Sequence, residues 1–228
     1  MRDSARTVHV QDIPTTPAQG DRPGPACAGP AGPVGALRPS GLHDLRGRPA
    51  PVVLGYPAGD LVVVSGLPGG GKSTLMRRCA RAPIIDSQHS RLLFEHRLPR
   101  LLPYALYRPL VRVFHYRRLR RALAGGGPLV VHDCGTLPWV RTWLSRTAAR
   151  QGRALHLILL DASPAEAAAG QRARGRRVST YAFARHRRAT AALRTRLGTA
   201  GPTTAGFATA VLLDRPAARD LQDIEFTD

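Results

Sequence analysis

Lysine is all but missing from this chain. Of 34 basic side chains in 228 residues, Lys72 is the one lysine and the rest are arginine. Acidic residues are scarce as well, 15 in all, which leaves a formal net charge of +19. Cysteine is limited to Cys27, Cys79 and Cys134, an odd number without paired spacing. That pattern excludes a disulfide framework and a cysteine zinc site, and it points to a reducing cytoplasm. No apolar run approaches the ~18 residues that a membrane-spanning helix needs. Arg2 and Arg6 have no apolar segment behind them, so neither a signal peptide nor a membrane span is expected.

What is abundant is arginine, alanine, glycine and proline. Two explanations of the basic excess stand side by side. One is compositional drift of the kind GC-rich coding produces. The other is a polyanionic partner such as nucleic acid, drawn by the field of the whole chain. Lys72 stands apart from the drift. A compact ammonium on a flexible stem reaches phosphate oxygens where a planar guanidinium does not fit equivalently.

Residues 1–48 are rich in Pro, Gly and Ala, hold few large apolar side chains and show no periodicity, so a disordered tail is expected there. Residues 49–228 form the domain. The runs 61–65, 83–86, 129–133, 154–161 and 210–214 are apolar and rich in β-formers, which predicts five strands, with 52–54 as a short lead-in. Helical patterns occupy 73–81, 139–151 and an Arg-dense stretch to 197. Ser163-Pro164-Ala165-Glu166 starts a further helix, with Ser as cap and Pro at the first position. The stretch 92–123 reads as helical and basic, broken at Pro99, Pro103 and Pro109. The alternation predicts an α/β fold of three layers with a five-stranded, mostly parallel sheet. Ligands in such sheets bind beyond the carboxyl ends of the strands. Ser65, Asp86, Asp133, Asp161 and Asp214 all close strands on that edge.

The sequence Gly66-Leu67-Pro68-Gly69-Gly70-Gly71-Lys72-Ser73 matches G-x-x-x-x-G-K-[ST] in full, after a strand and before a helix. Glycines let successive N–H groups wrap phosphates in conformations that a Cβ would block. Lys72 would bridge the β- and γ-phosphates, and the Ser73 hydroxyl, followed by Thr74, would hold Mg²⁺. ATP is the expected nucleotide. The N-K-x-D motif that reads guanine requires a second lysine, which the chain does not have.

A second Mg²⁺ ligand belongs at the end of a neighbouring strand, and both Asp133 and Asp161 qualify by position. Asp133 is favoured if the third strand lies beside the loop strand, and Asp161 then reads as a strand-end carboxylate. Asp86 is the acceptor-side candidate, able to take a hydroxyl proton or to cap the following helix. Arg91 is spaced to hold an anionic group of an acceptor. Arg172 and Arg176 are four residues apart on one helix face within an Arg-rich lid over 170–188, where they could stabilise a transferring phosphoryl group or simply face water. The aromatic and basic run 104–121 reads as a helical cover over the acceptor site in preference to a nucleic-acid or membrane surface.

The loop 61–74, Ile85-Asp86 with Arg91, the run Gln171-Arg172-Ala173-Arg174-Gly175-Arg176 and Phe183-Ala184-Arg185-His186 together resemble the P-loop kinases related to polynucleotide kinase and zeta toxin, often labelled AAA family ATPases. The resemblance spans 51–214. It implies phosphate and Mg²⁺ roles for Lys72 and Ser73, an acceptor-side role for Asp86, and lid roles for Arg172 and Arg176. The polynucleotide kinases carry an Asp three residues before the Arg, where this chain has Gln88, and His132 interrupts the strand that carries the metal carboxylate. On this reading the chain is an ATP- and Mg²⁺-dependent phosphotransferase acting on a hydroxyl-bearing acceptor. An ATPase or nucleotide-dependent switch is the rival, and a basic nucleic-acid binder that keeps its P-loop is a third reading.

Overall fold

The computed structural model describes residues 34–97, 102–133, 138–175 and 178–227. The chain opens with β1 (Val34–Leu37), β2 (Leu42–Asp44), β3 (Pro51–Pro57) and β4 (Leu61–Gly66). Next come α1 (Lys72–Cys79), β5 (Ile84–Ile85), α2 (Ser87–Arg97), α3 (Tyr104–Ala124) and β6 (Leu129–His132). The second half contains α4 (Pro138–Arg150), β7 (Leu155–Leu160), α5 (Pro164–Arg172), α6 (Thr180–Thr204), β8 (Thr209–Leu213), α7 (Arg215–Asp220) and β9 (Asp223–Thr227).

A six-stranded parallel sheet in the order β2-β8-β7-β4-β6-β5 forms the middle layer. All five strands expected from the apolar runs lie in it. Side chains alternate between faces along each strand, and the two halves of the core follow from that. Leu61, Val63, Leu157 and Leu159 face Leu119 of α3, Leu144 of α4 and Leu197 of α6. Val62, Val64, Ile158 and Leu160 face Met76 of α1, Ala217 of α7 and Leu54 of β3. Every residue of β4 and β7 is buried, as continuous apolar runs in a doubly covered sheet require. Connections leave β4 in opposite directions, β5 and β6 to one side and β7 and β8 to the other. A crevice therefore opens at its carboxyl end.

At the opposite end a buried polar cluster aligns three strands. Asp60 accepts a 2.8 Å hydrogen bond from the Ala154 N–H and lies 3.0 Å from His156 Nε2, while His156 Nδ1 lies 2.8 Å from Thr209 Oγ1.

Three expectations are corrected. The tail does not extend to residue 48. Residues 1–33 lie outside the described residues, but β1 pairs with β3 and β2 with the sheet edge at β8. These short edge strands are held by backbone bonds and by polar contacts, such as Arg46 to Asp161 at 2.6 Å and the Gly47 N–H to Asp214 at 2.7 Å. Neither needs an apolar alternation, so none is present to be read. The sheet accordingly has six strands where five were expected, and β1-β3-β9 forms a second, parallel sheet beside it. Finally, α3 runs through Pro109 without ending, while Pro103 serves as its N-cap; Pro99 lies outside the described residues.

Candidate functional site: a P-loop opening into a basic cleft

The loop between β4 and α1 has the backbone its glycines foretell. Gly66 and Gly69 have φ of +140° and +88°, and a Cβ at either would stand 2.3 Å from Leu160 O or 2.1 Å from Ala167 O. Helix α1 starts at Lys72, so its first N–H groups, which no helix satisfies internally, are turned toward the loop. The Lys72 side chain is buried. Its Nζ donates to Gly66 O at 2.7 Å and Leu67 O at 2.9 Å. An ammonium held among oxygen acceptors inside a glycine cradle is a fit for phosphate, because charged donors retain their strength where water is excluded.

Ser73 is buried next to it, near enough to the Asp86 carboxylate to favour its ionised form. Asp86 also accepts from the Gln88 N–H at 2.9 Å, so it caps α2, and its Oδ1 is 3.5 Å from His132 Nδ1. Burial pushes the Asp86 carboxyl up, but His132, the Gln88 N–H, the Ser73 hydroxyl and Arg77 outweigh it and hold the group below its ordinary value. Burial, with Lys72 nearby, lowers His132 to about 3, so its ring is neutral at physiological pH.

Asp133 follows β6, which pairs directly with β4, and the Asp133 N–H bonds to Val64 O at 3.0 Å. Its carboxylate is buried in the wall of the same cleft as Lys72 and Ser73. Asp161 is placed elsewhere. It follows β7, on the flank of β4 opposite β6, and receives Arg46 at 2.6 Å and Arg194 at 3.0 Å, which makes it a strand-end ion pair. Asp214 accepts from the Ala217 N–H at 2.9 Å and caps α7. The two oxygen donors Ser73 and Asp133 suit Mg²⁺, which takes few protein ligands and completes its shell with water and phosphate.

The loop forms one end of a cleft of about 430 Å³ that continues under α2 and α3. Arg91, Gln88, Arg112 and His115 line its far part, with Val111, Leu119 and Val140 as an apolar wall. Arg91 is also paired with Glu95 at 2.6 Å. His115 is buried, and burial, opposed by Asp86 and reinforced by Arg118, lowers its pKa. The run 104–121 lies within α3, one face of which lines the cleft.

The lid arginines are distributed differently from expectation. Arg172 is exposed on the last turn of α5 and does not line the cleft, and Arg176 lies outside the described residues. Arg174, between them, lines the cleft and donates to Thr74 Oγ1 at 3.2 Å. Spacing four apart assumes one continuous helix. The helix ends at Arg172, so Arg174 lies in the turn that follows it, just before Gly175 (φ +62°). Two further contributors were not foreseen. Gln171 donates to Pro68 O at 3.0 Å and accepts from the Val178 N–H at 3.0 Å, tying the loop to the start of α6. Gly170 packs against Gly69, where a Cβ would stand 2.2 Å from its carbonyl oxygen. Both lie within an Arg-rich run whose charge pattern masks them.

A family model described as an AAA domain matches residues 61–197, more than half of the chain. A search of curated proteins finds no match. Among the described residues no helix is long and apolar enough to cross a membrane. The glycine loop, the buried lysine and the strand order around it agree with that match: the chain belongs to the AAA-domain family and is a nucleotide-binding P-loop protein.

Proposed function

We propose that the chain is an ATP-dependent phosphotransferase that moves the γ-phosphoryl group to a hydroxyl of a second substrate. The observation that carries this reading is the cleft itself. The cavity of about 430 Å³ that holds the P-loop does not end there but continues beneath α2 and α3, with Arg91 and Arg112 in its wall. Water needs no such chamber, whereas a bound acceptor does. The strand order, with the carboxylate-bearing strand β6 beside β4, also supports the kinship with polynucleotide kinase and zeta toxin.

In this scheme Lys72 turns from the two loop carbonyls to the phosphates, and Ser73 and Asp133 hold Mg²⁺. When bound there, the ion would supply charge neutralisation to the transferring phosphate. The acceptor oxygen bonds to the γ-phosphorus as the bridging oxygen leaves with ADP. Asp86, held ionised at the cleft end of β5, receives the hydroxyl proton. Arg174 stabilises the charge on the transferring group, a role that Arg172 and Arg176 share if the lid closes further. Arg91 orients the acceptor.

The test is turnover of γ-labelled ATP with Mg²⁺ across a panel of hydroxyl acceptors that includes 5′-hydroxyl oligonucleotides. Label on an acceptor, lost in Lys72→Ala, is the expected result. Phosphate release at one rate whatever acceptor is supplied would replace the kinase with a hydrolase.

A further inference from the structure

The cleft carries more positive charge than one triphosphate uses. Lys72 and Arg174 stand at the P-loop, but Arg108 and Arg112 lie beyond it, on the face of α3 that turns toward the cleft. These two, with His186, also form the wall of a separate recess of about 220 Å³. Arg185, Ser179 and Tyr181 complete it from the start of α6. Arg108 and Arg112, one helical turn apart, thus face Arg185 and His186 across a gap between two elements.

No acidic side chain is among the described residues that line this recess. Arg108, Arg112 and Arg185 form no ion pair among the described residues. Three like charges converging on one concavity repel one another, and the arrangement is relieved by an anion between them. The N-terminus of α6 points the same way. Ser179 caps it by accepting from the Ala182 N–H at 3.3 Å, and its first turn holds no acidic residue that would neutralise the helix dipole. Arg108, Arg112 and Arg185 are solvent-accessible like the other arginines of α3, but Arg117, Arg120 and Arg121 line neither cavity.

We propose that the recess between α3 and the start of α6 is a second anion site, and that it takes a phosphate group carried by the acceptor. This rests on the phosphotransferase reading for the word acceptor, though not for the site. The acceptor is then a phosphorylated compound: its free hydroxyl enters the main cleft toward the P-loop while its own phosphate is held by Arg108, Arg112, Arg185 and His186. A phosphomonoester on a small molecule and a phosphodiester of a polynucleotide present the same oxygens to such a site.

Inorganic phosphate is the probe. It is titrated calorimetrically into the full chain saturated with Mg²⁺ and adenylyl imidodiphosphate, a non-transferable ATP analogue that occupies the P-loop. One saturable phosphate site is expected. The double substitution Arg112→Gln/Arg185→Gln should weaken it at least tenfold, read at an analogue concentration that saturates the variant. Arg117→Gln/Arg121→Gln, which removes the same charge from the outer face of α3, should leave phosphate binding unchanged. Competition by a nucleoside 3′-monophosphate and by a 5′-hydroxyl trinucleotide then separates the two sources by which one displaces phosphate at lower concentration. Absence of saturable binding, or equal weakening by both double substitutions, overturns the proposal. If the analogue itself fails to bind, the nucleotide reading falls instead, and the same titration of Lys72→Ala still decides the recess.

Discussion

Lys72 concentrates the chemistry of the site in one side chain. Its ammonium is buried and satisfied by two loop carbonyls, so Lys72→Ala removes a charge that the fold does not need. The variant should fold normally and lose triphosphate affinity by about 100-fold or more, roughly 3 kcal/mol, in a titration with a fluorescent ATP analogue. An unchanged affinity would remove the P-loop from the nucleotide site. His132 offers a test in the opposite sense, through stability. Its folded pKa of about 3 lies below the ordinary value of 6.5, so between those values the unfolded chain binds the extra proton. Stability then falls as pH drops from 6.5 toward 3, by up to ~1.4 kcal/mol per pH unit, and His132→Asn should flatten the slope in urea melts. Lys72 was legible because a motif of fixed spacing and a solitary lysine mark the same position. His115 was not: a histidine inside a run of arginines has no signature until α3 is seen to turn that side inward.

Among the elements, α5 has a role that no motif announces. Gly170 lets the helix settle against the P-loop, and two effects oppose each other on Gly170→Ala. Alanine gains about 1 kcal/mol of helix propensity. Its Cβ would also stand 2.2 Å from the Gly69 carbonyl oxygen, a backbone atom with little room to give. The clash should win, so the variant melts lower and binds nucleotide more weakly; equal or higher stability would show that α5 can shift freely. The first strands supply a second test. A chain begun at residue 49 loses β1, β2 and the Arg46 contact to Asp161, and it should melt ~5 °C or more below a chain begun at residue 34. Strands β4 and β7 could be read directly because both faces are covered and every residue is apolar or buried. Strands β1, β2 and β9 could not, since short pairings at the margins of the sheets are set by neighbours distant in sequence.

At the scale of the whole molecule the net charge of +19 sets the long-range behaviour. Any association with DNA or RNA that arises from this field should weaken steeply as salt is raised, and Lys72→Ala should leave that dependence unaltered, as filter binding at several salt concentrations can read. A slope that flattens in the variant would instead place the nucleic acid at the P-loop. The class of fold and the crevice above β4 followed from alternation alone. The joining of that crevice to a second basic hollow did not, because it depends on how α3 and α6 approach each other. Gln171 spans this junction, one end of its amide on Pro68 and the other on Val178. A displacement of the loop is handed through a single side chain to the segment that frames the hollow. Should a nucleotide shift the loop through this contact, whatever factor it adds to the grip on an occupant of the hollow, that occupant returns to the nucleotide in full.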